Sequence, residues 1–207
     1  VTGPAALLGS ALPYLDWAAV AVFACSGALV AAVKKQTLVT LIFFAVVTGV
    51  GGGTARDLLI GAPVFWVHQN GHLIVCFAAA LAVWASPGSV WKGQALDWLD
   101  AGGLAAYATY GAAKGIAFGL APIPAFAMGV LTACLGGIVR DVLAGEPSTL
   151  MRPELYVTAA ALSAALMVGL LVVGVPAAVG GVIAACAGFA LRGGALYFGW
   201  KLPAYRR

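Results

Sequence analysis

Gly51-Gly52-Gly53-Thr54-Ala55-Arg56-Asp57-Leu58-Leu59 returns in abbreviated form as Gly136-Gly137-Ile138-Val139-Arg140-Asp141-Val142-Leu143. Each stretch sets paired glycines, an arginine and an aspartate in, or at the end of, a long apolar run. Arg56 and Arg140 stand 84 positions apart (140 − 56). The same shift of 84 maps Asp16 onto Asp100, Gly27 onto Gly111, Thr48 onto Thr132, Asp57 onto Asp141, Gly61 onto Gly145 and Pro63 onto Pro147. Glycine-rich interruptions at matching positions of two halves mark the pathway of a membrane protein built from repeats.

The composition agrees with a membrane setting. Hydrophobic residues make up 63% of the chain and charged residues 9%, against about 25% charged in soluble domains. Mean hydropathy is +1.02. The net charge of +4 comes from residues lying mostly between or after apolar segments, where basic side chains set topology. No basic, aromatic-studded groove is present, so no nucleic-acid partner is expected. The first apolar segment follows Pro13, Tyr14 and Asp16 with no basic stretch before it, and is read as a retained helix. Cys25, Cys76, Cys134 and Cys186 are scattered singly, which supports neither a disulfide framework nor a zinc site; they are expected as small buried packing residues.

Seven apolar segments follow, at about 16–33, 37–60, 72–86, 98–118, 123–143, 154–174 and 177–199. The spacing predicts an all-α integral membrane domain of seven transmembrane helices over 1–207. One membrane face receives Lys34, Lys35, Lys92, Arg152, Lys201, Arg206 and Arg207, while the other holds no lysine or arginine outside the motif. The positive-inside rule therefore sets the N-terminus outside and the C-terminus in the cytoplasm. Three helices per copy is an odd number, so the second copy must be inverted: 8–90 and 92–174 form a 3+3 inverted repeat, with 177–199 as an extra seventh helix.

Glycines cost about 1 kcal/mol each in a helix relative to alanine. A kink or an unwound turn is therefore expected at Gly51, Gly52 and Gly53 in helix 2, and at Gly136 and Gly137 in helix 5. Freed carbonyls, with Thr48, Thr54 and Thr132, would then line a polar constriction suited to a partly dehydrated cation. Adjacent helical residues do not face each other, so Arg56 and Arg140 need partners other than Asp57 and Asp141. Asp16 opens the first helix at the level where helix 2 ends, and Asp100 opens the fourth where helix 5 ends. Asp16–Arg56 and Asp100–Arg140 are therefore expected as structural ion pairs, leaving Asp57 and Asp141 free to draw cations to the two mouths.

Lys114 has no counterpart, since Val30 occupies its place in the first copy. A charge inside a span costs at least about 2.5–3.5 kcal/mol and needs water or a partner. As a mobile cation in a cation path it is a candidate gate. His68 and His72 lack a third ligand, so no metal site is expected. Trp66, Trp84, Trp91, Trp98, Tyr197 and Trp200 sit near span ends, as an aromatic belt does. No nucleophile–base pair or nucleotide loop is visible, which argues against an enzyme.

The duplicated GGGTARDLL and GGIVRDVL, each followed by Gly-x-Pro (Gly61-Ala62-Pro63 and Gly145-Glu146-Pro147), resemble the bacterial TRIC family of trimeric intracellular cation channels. The likeness extends over almost the whole chain and includes Glu154-Leu155-Tyr156-Val157-Thr158-Ala159. It implies a homotrimer in the bacterial inner membrane, each subunit with its own hourglass pore constricted at the glycines of helices 2 and 5. It also implies permeation by potassium and other monovalent cations, with no cofactor beyond permeating potassium or sodium and bound lipid. Lys114 resembles a basic residue of the fourth helix linked to gating in animal members. Those members carry Lys-Glu-Val where this chain has Thr-Ala-Arg-Asp, so the motif behind their regulation by lipid, calcium and voltage has no match here.

Two other readings stay open. A secondary transporter of a small zwitterion such as glycine would use the same interrupted helices, with Arg56 or Lys114 on the carboxylate and carbonyls or Asp57 on the ammonium. A scaffold without transport would leave Lys114 and the duplicated motif without a role. A pore open to both sides favours the channel; a closed central cavity favours the transporter.

Overall fold

The computed structural model describes residues 12–88, 90–91 and 94–203. Lys92, Arg206 and Arg207 of the topology argument, and the starts of both expected repeat units, lie outside the described residues. Among the described residues seven α-helices follow one another: α1 Leu12–Val33, α2 Leu38–Leu59, α3 Asn70–Ala85, α4 Ala95–Ala117, α5 Pro122–Ala144, α6 Val157–Val172 and α7 Ala177–Phe198. A 3₁₀ turn, Thr149–Met151, lies between α5 and α6. Four helices (α1, α2, α5 and α7) are long and apolar enough to cross a membrane. The shorter α3 and α6 are also apolar, and α4 carries Asp97, Asp100 and Lys114 within its 23 residues. The sixth helix starts at Val157 rather than 154, because Glu154 is engaged in an isolated antiparallel bridge to Lys201.

Local signals explain the ends. Thr37 caps α2 by accepting from the Thr40 backbone N–H, and Pro122 opens α5, where its missing N–H costs nothing. After α2 and α5 the chain turns identically. Gly61 and Gly145 adopt φ of 68° and 67°, and the N–H groups of Ala62 and Glu146 each donate, at 2.9 Å, to the carbonyls of Asp57 and Asp141. That is a Schellman ending, which needs a residue tolerant of positive φ at each glycine position. Lys35, the one described non-glycine at positive φ, lies 84 residues before Gly119, which is also at positive φ. The 84-residue correspondence thus reaches the backbone.

α4 is the packing centre, touching α1, α5, α6 and α7. Its sequence explains this: Ala101-Gly102-Gly103-Leu104-Ala105-Ala106 and Gly111-Ala112-Ala113 keep side chains small, so four neighbours approach closely. Every residue from Gly103 to Gly115 is buried. Large apolar side chains point outward instead, among them Val39, Phe43, Ile74, Phe77, Leu81, Ile123, Val142, Val182 and Ile183. That outward surface suits lipid or another subunit and would be a liability in water.

Neither run of glycines unwinds its helix. α2 and α5 stay α-helical through Gly51-Gly52-Gly53 and Gly136-Gly137, so the expected freed carbonyls are absent. The Thr54 hydroxyl donates to the Val50 carbonyl at 2.7 Å and that of Thr132 to the Met128 carbonyl at 2.5 Å. The glycines serve a close crossing. A Cβ on Gly52 would overlap the Thr132 carbonyl oxygen, and one on Gly136 would come within 2.7 Å of the Thr48 carbonyl oxygen. Thr48 and Gly52 are the 84-residue counterparts of Thr132 and Gly136. Such reciprocity is what a two-fold relation between the two units imposes. Gly27 and Gly111 repeat the theme, each admitting the hydroxyl of Thr48 or Thr132.

Candidate functional site

Two buried charge clusters lie at the ends of α2 and α5, one on each side of this crossing. In the first, Asp57 is fully buried. Its Oδ1 accepts from Arg56 Nε at 2.7 Å and from Lys114 Nζ at 2.8 Å, and its Oδ2 from the Phe65 backbone N–H at 3.1 Å. Arg56 faces Asp16 at 3.9 Å and stacks over Tyr110, with its guanidinium carbon 5.0 Å from the ring centre. The ring of His72 lies on Trp17, centroids 4.0 Å apart, with Nε2 3.3 Å from Asp16 Oδ2. Trp66 donates to the Thr54 hydroxyl at 2.8 Å.

The second cluster repeats the plan. Asp141 Oδ1 accepts from Arg140 Nε at 2.9 Å and Nη2 at 2.7 Å, while Oδ2 accepts from the Thr149 N–H at 2.8 Å and its hydroxyl at 3.1 Å. Thr149 is the counterpart of Phe65. Asp100 meets Arg140 Nη1 at 2.5 Å and accepts from the Ser26 hydroxyl at 2.8 Å, and Arg140 also donates to Ser26. Ser26 and Tyr110, each supplied to the opposite unit's arginine, are again 84 apart.

Two expectations need correcting. Arg56 and Arg140 do bond their neighbours Asp57 and Asp141, because the long guanidinium stem folds back along the helix where a short side chain could not. The aspartates are therefore not free: Asp57 has three donors and Asp141 four. Asp16 and Asp100 stand opposite Arg56 and Arg140 at the expected levels, the second pair much closer than the first. Removing one partner of a buried pair costs about 3–5 kcal/mol. Asp100→Asn should therefore lower the unfolding temperature in detergent well below that of Asp16→Asn; equal losses would mean that the closer contact carries no more stability.

The clusters differ where Lys114 faces Val30. The first is balanced, Arg56 and Lys114 against Asp16 and Asp57. The second sets Arg140 alone against Asp100 and Asp141. Val30 there lines a cavity of about 280 Å³ whose other walls include Asp141, Lys34 and Glu146. Lys34 and Glu146 pair across its rim at 2.6 Å, and Arg152 faces Asp97 at 3.6 Å. Within this second cluster one arginine therefore serves two carboxylates, Asp100 and Asp141. In the first cluster the Lys114 ammonium takes the second place on the carboxylate oxygen; in the second, Arg140 Nη2 takes it. Lys114 is nearly buried, at 7% exposure, so its charge is met by Asp57 rather than by water.

Arg192 of α7 is a charge that the repeat does not supply. It is fully buried, 2.8 Å from Glu154 and over the ring of Tyr156. A basic residue within the last apolar run was the signal for it. His72 lacked one, because a lone histidine in the first turn of a short helix resembles a loop residue. Cys186 is exposed, Cys25 partly so, and only Cys76 and Cys134 are buried.

The seven helices among the described residues, the outward apolar surface and the paired buried charges define a polytopic α-helical membrane protein of the repeat-built transport class. A family model described as "Glycine transporter" matches residues 13–87 and 97–171, one copy on each three-helix unit. A UPF0126 membrane protein of Vibrio cholerae is 39% identical over 164 residues, 77% of this chain and 68% of that one. The UPF0126 inner membrane protein YadS of Escherichia coli is 39% identical over 70% of this chain and 72% of its own. A solved TRIC trimeric intracellular cation channel orthologue from Rhodobacter sphaeroides is 39% identical, with a TM-score of 0.85 over 91% of this chain and 98% of that one. The chain belongs to the bacterial TRIC family, and it is equally similar to UPF0126 membrane proteins. It is not an enzyme.

Proposed function

We propose that the protein is a potassium-permeable channel for monovalent cations, a homotrimer with one path per subunit, in the bacterial inner membrane. The N-terminus lies outside and the C-terminus in the cytoplasm. The observation that carries this reading is the inequality of two otherwise matching charge clusters. One is neutralised by Lys114, whereas the other keeps an excess carboxylate beside an open cavity. The cavity is lined by Lys34 and Arg152 as well as by Asp141 and Glu146; the carboxylate charge that Arg140 leaves unbalanced gives a cation a local partner there, and a tethered ammonium at the far end is a plug for the same path. The positive-inside orientation puts the cavity on the cytoplasmic side and Lys114 toward the outside. Backbone contact at Gly52 and Gly136 leaves no side-chain space at the crossing, and in this reading the path narrows there. The homology to a solved channel of the family supports the same reading.

A second reading, a transporter of glycine, is favoured by the description of the matching family model and by the one-sided cavity with both signs of charge on its rim. Recording from the purified protein in planar bilayers under a potassium chloride gradient separates the two. Unitary currents reversing near the potassium potential are expected. Silent bilayers, with labelled glycine accumulating in proteoliposomes, would replace the channel with the transporter.

A further inference from the structure

We propose that His72 is a proton-binding site that opens the Lys114 plug when the outer solution turns acid. The inference rests on the cation-channel reading and names a regulator of that path. Five side chains lie in series, joined by four contacts: His72 Nε2 to Asp16 Oδ2 at 3.3 Å, Asp16 to Arg56 at 3.9 Å, Arg56 to Asp57 at 2.7 Å, and Asp57 to Lys114 at 2.8 Å. All five residues are buried. The weak joints are at the outer end. Neither ring nitrogen of His72 has a hydrogen-bond partner, Asp16 Oδ1 has none, and Arg56 Nη1 and Nη2 have none. Buried donors in that state cost free energy and will take a better partner if one is offered.

The groups facing His72 are Asp16 and Trp17 from α1 and Phe65 from the α2–α3 loop. Arg56 of α2 lies just beyond, with Tyr110 of α4 against its guanidinium. With the imidazole neutral, Asp16 and Asp57 balance Arg56 and Lys114. A proton taken from the outer solution onto the free ring nitrogen makes three cations against two carboxylates. The imidazolium claims Asp16, whose hold on Arg56 is already long. Arg56 then keeps one carboxylate partner, Asp57, and its idle Nη groups turn toward it.

The arrangement that follows is present elsewhere in the molecule. Arg140 places both Nε and Nη2 on Asp141, filling the position that Lys114 holds on Asp57. The place opposite is then left to Val30 and a cavity. Arg56 adopting the geometry of Arg140 displaces the Lys114 ammonium, the surplus charge of the cluster, toward the outer water. His72 corresponds to Tyr156 in the other unit, a residue that does not gain a proton in this range, so the device belongs to the outer side alone.

The test is bilayer recording with the inner solution held at pH 7.5 and the outer solution stepped from pH 7.5 to 5.5, on wild type, His72→Gln and Lys114→Val. Wild type is expected to gain about tenfold in open probability, the factor that about 1.4 kcal/mol of relayed interaction supplies. His72→Gln should stay at its neutral-pH level, and Lys114→Val should conduct at both pH values alike. Wild-type currents indifferent to outer pH, while Lys114→Val conducts, overturn the proton site and leave the channel standing. An acid response that persists in His72→Gln assigns it to another group and overturns the proposal as well. Silence from both wild type and Lys114→Val removes the channel, and this gate with it. The Trp17–His72 stack adds a readout independent of current: tryptophan emission should fall on acidification in wild type and not in His72→Gln.

Discussion

Lys114→Val should raise open probability at neutral pH by about ten- to hundredfold, equivalent to roughly 1.4–2.8 kcal/mol lost from the closed state. Deleting one member of a buried pair ordinarily costs about 3–5 kcal/mol and endangers the fold, because the other charge is stranded. This protein carries its own demonstration of how Asp57 avoids that fate. At Asp141 a valine stands where Lys114 would be, and Arg140 occupies the carboxylate with two donors instead of one. Arg56 has both Nη atoms idle and can do the same, so the variant should fold while losing its plug. Voltage dependence should weaken in step, since a full charge crossing the membrane contributes about 2.3 kcal/mol per 100 mV. Currents indistinguishable from wild type in size, open probability and voltage response would take Lys114 out of the gate.

What could be read from the chain follows from what each argument used. The ion-pair levels, Asp16 with Arg56 and Asp100 with Arg140, depended only on which helix ends share a membrane face, and topology supplies that. The direct Arg–Asp contacts did not emerge, because the rule that neighbours diverge on a helix describes Cβ directions, and an arginine reaches well beyond its Cβ. Lys114 was visible as a charge without a partner; that Asp57 is the partner depends on how α4 packs against the end of α2, a tertiary fact. The glycines show the limit most clearly. Low helix propensity suggested a broken helix, whereas the fold uses the missing Cβ atoms and keeps the backbone bonds. Propensity of about 1 kcal/mol per residue is a weak force against a close helix crossing. His72 and Tyr110 become meaningful only beside Arg56, and nothing in their local sequence says so.

Consecutive glycines of one motif should respond oppositely to the same methyl group. At Gly52 a Cβ overlaps the Thr132 carbonyl oxygen, part of a backbone that cannot rotate away. Gly52→Ala must force α2 and α5 apart, an overpacking of about 1–3 kcal/mol. The strain falls at the crossing that both charge clusters depend on. At Gly51 nothing lies within 4 Å of the added atom. Gly51→Ala therefore meets no neighbour and gains the helix preference of alanine, about 1 kcal/mol. Thermal unfolding in detergent, followed by circular dichroism, should put Gly52→Ala several degrees below wild type and Gly51→Ala level with it or above. Gly136→Ala, opposite the Thr48 carbonyl at 2.7 Å, should fall with Gly52→Ala, as the reciprocal half of the contact. A destabilised Gly51→Ala would show that the triplet is needed for bending, because a helix that must open at that point uses glycine's freedom even where there is space for more. A Gly52→Ala as stable as wild type would dissolve the tight crossing and return the motif to the unwound constriction that low helix propensity suggested.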